Sequence, residues 1–234
     1  MDRRLARVRD RTLAYRVRIS PRARAWSLTI HPDAGLTVVL PPRARVDPAD
    51  LLRAKADWIL RHLDRLARRP TRTVLEHGSA VPYLGDALRI EVAAWDGAEP
   101  AVEAADGVLR VRAAPQRPLR AVVEAWYRAR AAAVIAERLE AINASLGYRY
   151  ARVTIRDQKT RWGSCSARGN LAFNWRLVMA PIAIIDYVVA HELVHLVVLS
   201  HAPAFWTRVA AIDPAHQEHR RWLRDQGPRL VLGG

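Results

Sequence analysis

The sequence predicts an α+β fold, with a strand-rich N-terminal half and a C-terminal half in which helices carry the chemically distinctive residues. Between residues 13 and 113, short strand-like segments are separated by turns rich in Pro, Gly and Asp. From residue 118 onward, apolar residues recur with helical spacing over longer stretches. No internal repeat is apparent, and 234 residues suffice for one large domain or two small ones.

Three strands are predicted between residues 13 and 40. The segment TLAYRVRI alternates between apolar and polar residues, and AWSLTI and LTVVL each follow a turn signal, the second of them at residues 33–35. We expect these strands to form a meander, which a Pro-Pro pair ends. A helix then begins with an Asp-Pro pair at residues 47–48, which supplies the N-cap and the first helical position, and it ends at residues 68–70.

Further strand segments follow at residues 72–95 and 108–113. The stretch AAPQRP, residues 113–118, contains two prolines and is the best linker candidate in the chain. We therefore predict two domains. The first, residues 1–115, is a strand-rich N-terminal domain that contains one helix. The second occupies residues 116–234.

The second predicted domain begins with a long amphipathic helix that runs from Pro118 to residue 145 or 146. The segment at residues 151–181 contains turn signals and alternating apolar positions, so we expect two or three strands there. Pro181 then begins an apolar helix. A short helix after residue 201, and a final helix after a break at residue 213, complete the predicted order of elements.

Composition restricts the class of protein and its environment. The chain is 50% hydrophobic and 26% charged, which is typical of a folded globular protein. The chain lacks a signal-peptide pattern and a bilayer-spanning run, so we expect a cytoplasmic protein with no membrane partner. Its single cysteine, Cys165, agrees with this location, because no intrachain disulfide is possible. The net charge of +15, almost all from arginine, favours phosphate ligands, so nucleic-acid contact through a basic surface stays open beside a merely solvated surface.

The apolar stretch VVAHELVHLVVLSHAPAFW, residues 188–206, contains three histidines and one glutamate. On a helix, His191 and His195 lie one turn apart on the same face, so both imidazoles can reach one ion at about 2.0–2.1 Å. Glu192 lies on the flank of that face, where it is suited to hold an activated water rather than to bind the metal. The pattern predicts the metal site of a hydrolase.

His201 is the candidate third ligand. An unbroken helix would carry it about 9 Å beyond the second histidine and away from the shared face, so the helix must break between residues 196 and 200. Val198 occupies the position at which metzincin peptidases have a glycine, and a β-branched residue disfavours positive φ. We therefore expect Ser200 or Pro203 to make the turn.

Three histidine ligands leave one coordination position for water, which is the arrangement of a catalytic zinc rather than a structural one. Zinc (Zn²⁺) or another divalent metal there would lower the pKa of water towards neutrality and polarise a substrate carbonyl. Glu192 would then act as the general base. On the last helix, His216, Glu218 and His219 are alternative ligands, although we expect them to be surface groups.

The stretch KTRWGSCSARGNLAFNWRLVMAP, residues 159–181, precedes the metal helix and interleaves basic with aromatic residues. A strand beside that helix would pair with an extended peptide by edge addition. Alternatively, the same residues would bind phosphates and stack on bases, or simply pack two tryptophans under the site. The candidates for substrate binding in this stretch and on the metal helix are Arg161, Asn174, Arg176 and Tyr187.

Together, the segments TRWGSCS, GNLAFNWRLVMAP, DYVVAHELVHL, HAPAFW and RRWL resemble the YgjP-like metallopeptidase-domain family, which is distantly similar to the SprT-like zinc proteases. Segments nearer the N-terminus, SPRARAWSLTI, GLTVVLPP and WIL, are also similar to that family. The resemblance implies a zincin-like C-terminal half, with zinc or a similar metal on His191, His195 and His201 and with Glu192 catalytic. The run LVVLSH is more apolar than is usual in the family before the third histidine.

Three functions follow from these observations. The first is a zinc metallopeptidase that cuts an extended peptide or protein. The second keeps the metal but hydrolyses a nucleotide, as a nucleoside triphosphate pyrophosphatase does, with Lys159, Arg161 and Arg176 holding the phosphates. The third is a nucleic-acid-binding protein with a structural metal, against which the glutamate and the open coordination position both argue.

Overall fold

The computed structural model describes residues 3–31, 35–67, 74–97 and 99–232. It divides into two units, Met1–Pro70 and Thr71–Gly234. The α+β class is confirmed, because strands dominate the chain up to residue 113 and helices dominate it afterwards. The first two residues of the turn predicted at 33–35, and the helix end predicted at 68–70, lie outside the described residues.

The first unit is a four-stranded sheet with two helices packed on its apolar face. Its strands are β1 (Arg3–Val8), β2 (Arg11–Ile19), β3 (Ser27–His31) and β4 (Gly35–Leu40), and its helices are α1 (Pro48–Ala54) and α2 (Ala56–Ala67). The Asp47 carboxylate caps α1 by accepting a hydrogen bond from the backbone N–H of Ala49, as the Asp-Pro pair predicted. The single helix predicted here is divided at Lys55, whose φ of −112° and ψ of 20° leave the helical region.

The strand order β1-β2-β4-β3 corrects the predicted meander. β2 pairs with β4 in parallel, with Tyr15 opposite Leu36, and β3 pairs with β4 antiparallel at the edge of the sheet. The connection at residues 20–26 is longer than a hairpin turn, so β3 is free to leave the side of β2. Strand β1 was not predicted, because its arginine-rich sequence RRLARV alternates only weakly.

The second unit begins with a sheet of the same topology. Its strands are β5 (Ala80–Tyr83), β6 (Asp86–Ala94), β7 (Ala101–Ala105) and β8 (Val108–Ala113), in the order β5-β6-β8-β7. β6 pairs with β8 in parallel, with Ile90 opposite Leu109, so the two sheets repeat one arrangement of four strands. No repeat is apparent in the sequence, so this repeat of topology is seen only in the structure. The two segments share an apolar alternation rather than a visible sequence motif, and the alanine-rich strand β7 was missed.

The remainder of the second unit is mainly helical and carries the distinctive motifs. Its helices are α3 (Leu119–Asn143), α4 (Ile182–Val194), α5 (Pro203–Ile212) and α6 (His216–Gln226), and its strands are β9 (Arg152–Arg156), β10 (Gly163–Cys165) and β11 (Asn170–Asn174). These agree with the long helix, the two or three strands and the three later helices predicted from the sequence. The sheet order is β10-β11-β9, which leaves β10 at an edge.

Helix α4 lies at the centre of the second core. Its side chains Ile185 and Val189 are fully buried, as are Tyr127 and Ile135 of α3 and Trp175 of the 3₁₀ helix Trp175–Met179. Burial on nearly all sides explains why the sequence of α4 is apolar without a polar stripe. His191 and Glu192 of α4, and His195 at its C-cap, are therefore held by a rigid element.

The two units do not divide at the predicted boundary between residues 115 and 116. Residues 74–97 and 99–113 belong to the unit that also holds α4, because β8 and β7 pack against α3. As a boundary between independently folding domains, position 115/116 stays a prediction. No helix in the described part of the chain combines the length and apolarity needed to cross a bilayer. The cytoplasmic location also stays a prediction.

Candidate metal centre

Helix α4 ends early enough to bring three histidines together. Its last helical residue is Val194, and the next turn tightens, with the N–H groups of Leu196 and Val197 donating to carbonyls three residues back. The predicted end of the helix before His201 is confirmed, but the break lies at His195, before the predicted interval of residues 196–200. The expectation that Ser200 or Pro203 makes the turn is wrong, because the chain already turns at residues 195–197 and Pro203 begins α5. Val198 is not among the described residues with positive φ, so the chain turns without the glycine that metzincins use.

The three imidazoles converge through their Nε2 atoms. The Nε2 of His195 lies 3.2 Å from that of His191 and 3.2 Å from that of His201, and the third side of the triangle is 3.1 Å. A tetrahedral ion with bonds of 2.0–2.1 Å would hold its ligand nitrogens about 3.3–3.4 Å apart. The observed spacing therefore fits a tetrahedral metal with three histidine ligands.

Neighbouring groups fix the orientation of these rings. The Nδ1 of His195 lies 3.1 Å from the carbonyl oxygen of Val198, a contact in which Nδ1 donates and Nε2 keeps its lone pair. Phe205 of α5 is fully buried, and its ring centroid lies 4.5–4.8 Å from those of all three histidines. The "FW" that follows the third histidine thus forms an apolar support under the imidazoles.

Burial keeps His191 and His195 in the form that binds a metal. Burial is the largest cause that lowers the pKa of His191 to about 3, and the neighbouring His195, His201 and Arg220 contribute to the same shift. Burial also lowers the pKa of His195, although the hydrogen bond to the Val198 carbonyl acts to raise it. Both rings are neutral at physiological pH, as metal ligation requires.

Glu192 is enclosed beside the triad. Its side chain is 4% exposed, and burial raises the pKa of its carboxyl group to about 8, with Arg161 acting in the opposite direction. The Oε2 atom is buried and has no hydrogen-bond partner among the described residues. A buried acceptor without a donor, next to three converging imidazoles, fits a site completed by a cation and water.

A cleft of about 650 Å³ opens onto the triad and Glu192. Of the predicted substrate residues, Arg161 and Tyr187 line it. Two arginines of α6 that the sequence did not suggest, Arg220 and Arg224, line it as well, and Arg220 lies over the Trp206 ring at 4.9 Å from its centroid. The RRWL segment, residues 220–223, was a signal for Arg220, since it carried part of the family resemblance.

Asn174 and Arg176 do not line this cleft. Asn174 is 3% exposed, and its side-chain amide donates to the backbone carbonyls of Gln158 and Arg161. Arg176 pairs with Asp157 and lies over the ring of Trp175. These contacts hold the loop before β10, so they position Arg161 rather than face the substrate space. Lys159 is not among the lining residues either.

The alternative ligands on the last helix stay outside the triad. The Nδ1 of His219 lies 2.7 Å from a carboxylate oxygen of Asp213. His216 is buried and stacks on Trp206, so the expectation that it is a surface group is wrong. In the part of the chain that the structure describes, the cluster whose ligand atoms lie close enough together to hold a metal ion is His191, His195 and His201, without Glu218.

Comparison with known proteins identifies the family of this chain. The sequence profile of the YgjP-like metallopeptidase domain matches residues 24–226, which identifies the class as metal-dependent hydrolases. More particularly, the chain belongs to the YgjP-like metallopeptidase-domain family. Among solved structures, the metallopeptidase zymogen abylysin of Pyrococcus abyssi is similar, at 24% identity and a TM-score of 0.37, over 42% of this chain and 99% of that one. No curated protein matches the chain.

Proposed function

We propose that this chain is a zinc-dependent peptidase in which His191, His195 and His201 hold the metal and Glu192 is the general base. The observation that carries the proposal is the triangle of Nε2 atoms, 3.1–3.2 Å on each side, beside a buried glutamate. Three imidazoles leave a position open for water, as catalytic zinc sites do and structural sites do not.

The residues of the site have complementary roles in this proposal. When bound, zinc would polarise a peptide carbonyl, lower the pKa of water and favour the ionised form of the Glu192 carboxyl. Glu192 accepts a proton from the attacking water and then donates it to the leaving amine. Arg161 and Tyr187 line the cleft and are the candidates for contacting the carbonyl oxygen as it gains negative charge.

The edge strand β10 supports a peptide as the substrate. It pairs with β11 on one side, and its other edge is unpaired within the described residues. The backbone of Gly163, the first residue of β10, lies against Glu192. An extended peptide that adds to this edge would therefore run past the carboxylate, with main-chain hydrogen bonds holding it in register.

The proposal is tested with Glu192→Gln, which keeps the size of the side chain but cannot accept the proton. We expect hydrolysis of a fluorogenic peptide library to fall by about 10²–10⁴-fold while zinc stoichiometry is unchanged. The exposed Glu218→Gln is the matched control and should retain activity. Peptide hydrolysis that survives in Glu192→Gln, or in the wild type after chelation, would contradict the proposal.

A nucleotide phosphohydrolase is the second candidate, because the cleft is cationic. Arg161, Arg220 and Arg224 line it, and Glu192 is its one acidic lining residue within the described chain. Arg224 is already paired with Asp225, which leaves two guanidinium groups for a triphosphate. The same enzyme preparations are tested with nucleoside triphosphates. If the wild type hydrolyses triphosphates but not peptides, and Glu192→Gln loses this activity, the second function would be favoured over the first.

A further inference from the structure

The positive charge of the chain is concentrated in the first unit. Residues 1–70 contain seventeen basic and seven acidic residues, a net charge of +10 out of +15 for the whole chain. The remaining 164 residues carry only +5. A general preference for arginine would raise the charge of both units alike, so this asymmetry indicates a local electrostatic role.

Strand register places much of this charge on one face of the first sheet. Tyr15 and Leu36 are buried under α1 and α2, so their chain neighbours point to the opposite face. On that face Arg16 lies opposite Thr37, and Thr37 lies opposite Thr29. The residues of this surface, which we call the basic face, are Arg7, Arg16, Arg18, Thr29 and Thr37.

The repeated sheet of the second unit provides an internal comparison. At the row that corresponds to Arg16, Thr37 and Thr29, it carries Glu91, Arg110 and Glu103. There, charges of opposite sign alternate across the strands, and Glu91 pairs with Arg89 at 2.8 Å. This row therefore carries charges of both signs in one repeat, and one arginine with no carboxylate in the other.

Among the described residues, no acidic side chain of the first unit forms an ion pair with the basic face. Asp47 caps α1, and three other aspartates pair with arginines outside the face, in the pairs Arg53–Asp50, Arg9–Asp57 and Arg11–Asp64. In contrast, the three arginines of the basic face are exposed and make no ion pair with any residue that the structure describes.

We propose that the basic face binds the phosphodiester backbone of a nucleic-acid strand. Guanidinium and hydroxyl groups are both donors to phosphate oxygens, and the face presents them without a carboxylate. The loop that joins β2 to β3 also carries two exposed arginines, Arg22 and Arg24, and Trp26, which is 38% exposed. An exposed tryptophan beside arginines favours a single strand, whose bases are free to stack on it.

The test is the binding of a fluorescein-labelled oligothymidylate to the full chain, titrated at several salt concentrations. For the triple variant Arg7→Gln, Arg16→Gln and Arg18→Gln, we expect at least tenfold weaker binding at low salt. The slope of log K against log salt should fall in magnitude by about 2, since each single-strand phosphate contact contributes about 0.7.

The matched control removes the same charge from arginines that are already paired. Arg9→Gln, Arg11→Gln and Arg53→Gln together lower the net charge equally and should bind nearly as the wild type does. A second variant, Thr29→Glu with Thr37→Glu, brings carboxylates to the basic face without removing an arginine and should also weaken binding. Circular dichroism verifies that each variant folds.

Three outcomes would overturn the proposal. Equal loss in the two triple variants would mean that net charge alone attracts the oligonucleotide. Unchanged binding in both the basic-face triple variant and the threonine variant would place the contact elsewhere. Binding of polyglutamate or of phosphatidylserine vesicles, with no binding of the oligonucleotide, would assign the face to an acidic protein or a membrane surface.

Discussion

Gly163 lies directly against the catalytic candidate Glu192. A β-carbon built on Gly163 would stand 2.5 Å from Oε1 of Glu192 and 2.7–2.8 Å from the carbons Cγ and Cδ, distances that real β-carbons do not adopt. The missing side chain therefore allows α4 to approach the edge strand β10 closely enough to enclose the carboxylate. Glycine serves here for close approach rather than for an unusual backbone conformation.

The variant Gly163→Ala tests this relationship. Because both the strand and the glutamate are packed, the added methyl group must displace the carboxylate. A displacement of about 1 Å costs an enzyme on the order of 10²-fold in rate, so we expect a fall of that size in peptide kcat. Zinc binding, measured by competition with a chelator, should not change, since the methyl group meets the glutamate and not the imidazoles.

A double-mutant cycle supplies the control for this variant. In a background of Glu192→Ala, the substitution at position 163 has no carboxylate to displace and should cause no further loss. Full activity of Gly163→Ala, or an equal loss in both backgrounds, would show that the close packing has no catalytic consequence.

Removal of the third histidine tests the metal centre itself. Zinc binding to the folded chain should stabilise it by about 2.7 kcal/mol when free zinc is at 100 times its Kd, and Tm should rise accordingly. We expect His201→Ala to lose most of this rise under the same conditions. His219→Ala is the matched control, because His219 pairs with Asp213 outside the triad. A zinc-dependent Tm that survives in His201→Ala would remove this residue from the ligand set.

Phe205 should influence zinc affinity without being a ligand. Its buried ring contacts all three imidazoles, so Phe205→Leu would loosen their orientation and weaken zinc binding by about tenfold, measured by chelator competition. Phe173 is the other phenylalanine of the chain and is also fully buried. Phe173→Leu should lower stability by about 1–3 kcal/mol and leave zinc affinity unchanged. Equal zinc affinities of the two variants would contradict the supporting role.

Asp157 should stabilise the fold only above acidic pH. Its hydrogen bond with Arg176 is the main cause that lowers the pKa of its carboxyl group, and the charges of Arg176 and Arg128 add to the effect. Since the folded pKa is below the unfolded value of about 3.9, the stabilisation is present above about pH 4 and is lost as the pH falls through the folded pKa. Urea unfolding should show Asp157→Asn to be less stable than the wild type at neutral pH, by less than about 1 kcal/mol because the pair is partly exposed.

In acid, the wild type and Asp157→Asn should converge in stability. A difference that persists unchanged to about pH 2 would mean that the substitution acts through packing and not through charge. Activity at neutral pH is a useful second measurement, because Arg176 and Asn174 hold the loop that carries Arg161.

Local patterns were sufficient for the elements that depend on neighbours in sequence. The Asp-Pro start of α1, the long helix α3 and the apolar helix α4 all follow from capping and spacing within a few residues. The order of the strands could not be predicted from local patterns, because the parallel pairing of β2 with β4 depends on contacts between distant segments. The break between α1 and α2 at Lys55 was also not predicted, since nothing in the sequence around this residue indicates it.

The sequence by itself determined the candidate metal centre. Histidines four residues apart on a helix share a face, and His201 can join them only if the helix ends before it. Chain geometry therefore made His201 the candidate third ligand, while His216, Glu218 and His219 stayed open as alternatives. Only the tertiary structure decided which other groups surround it. Arg220 faces the cleft while Arg176 is held by Asp157, and Gly163 makes room for Glu192. These contacts depend on how elements that are distant in sequence pack together, and the spacing of residues along the chain does not predict that packing.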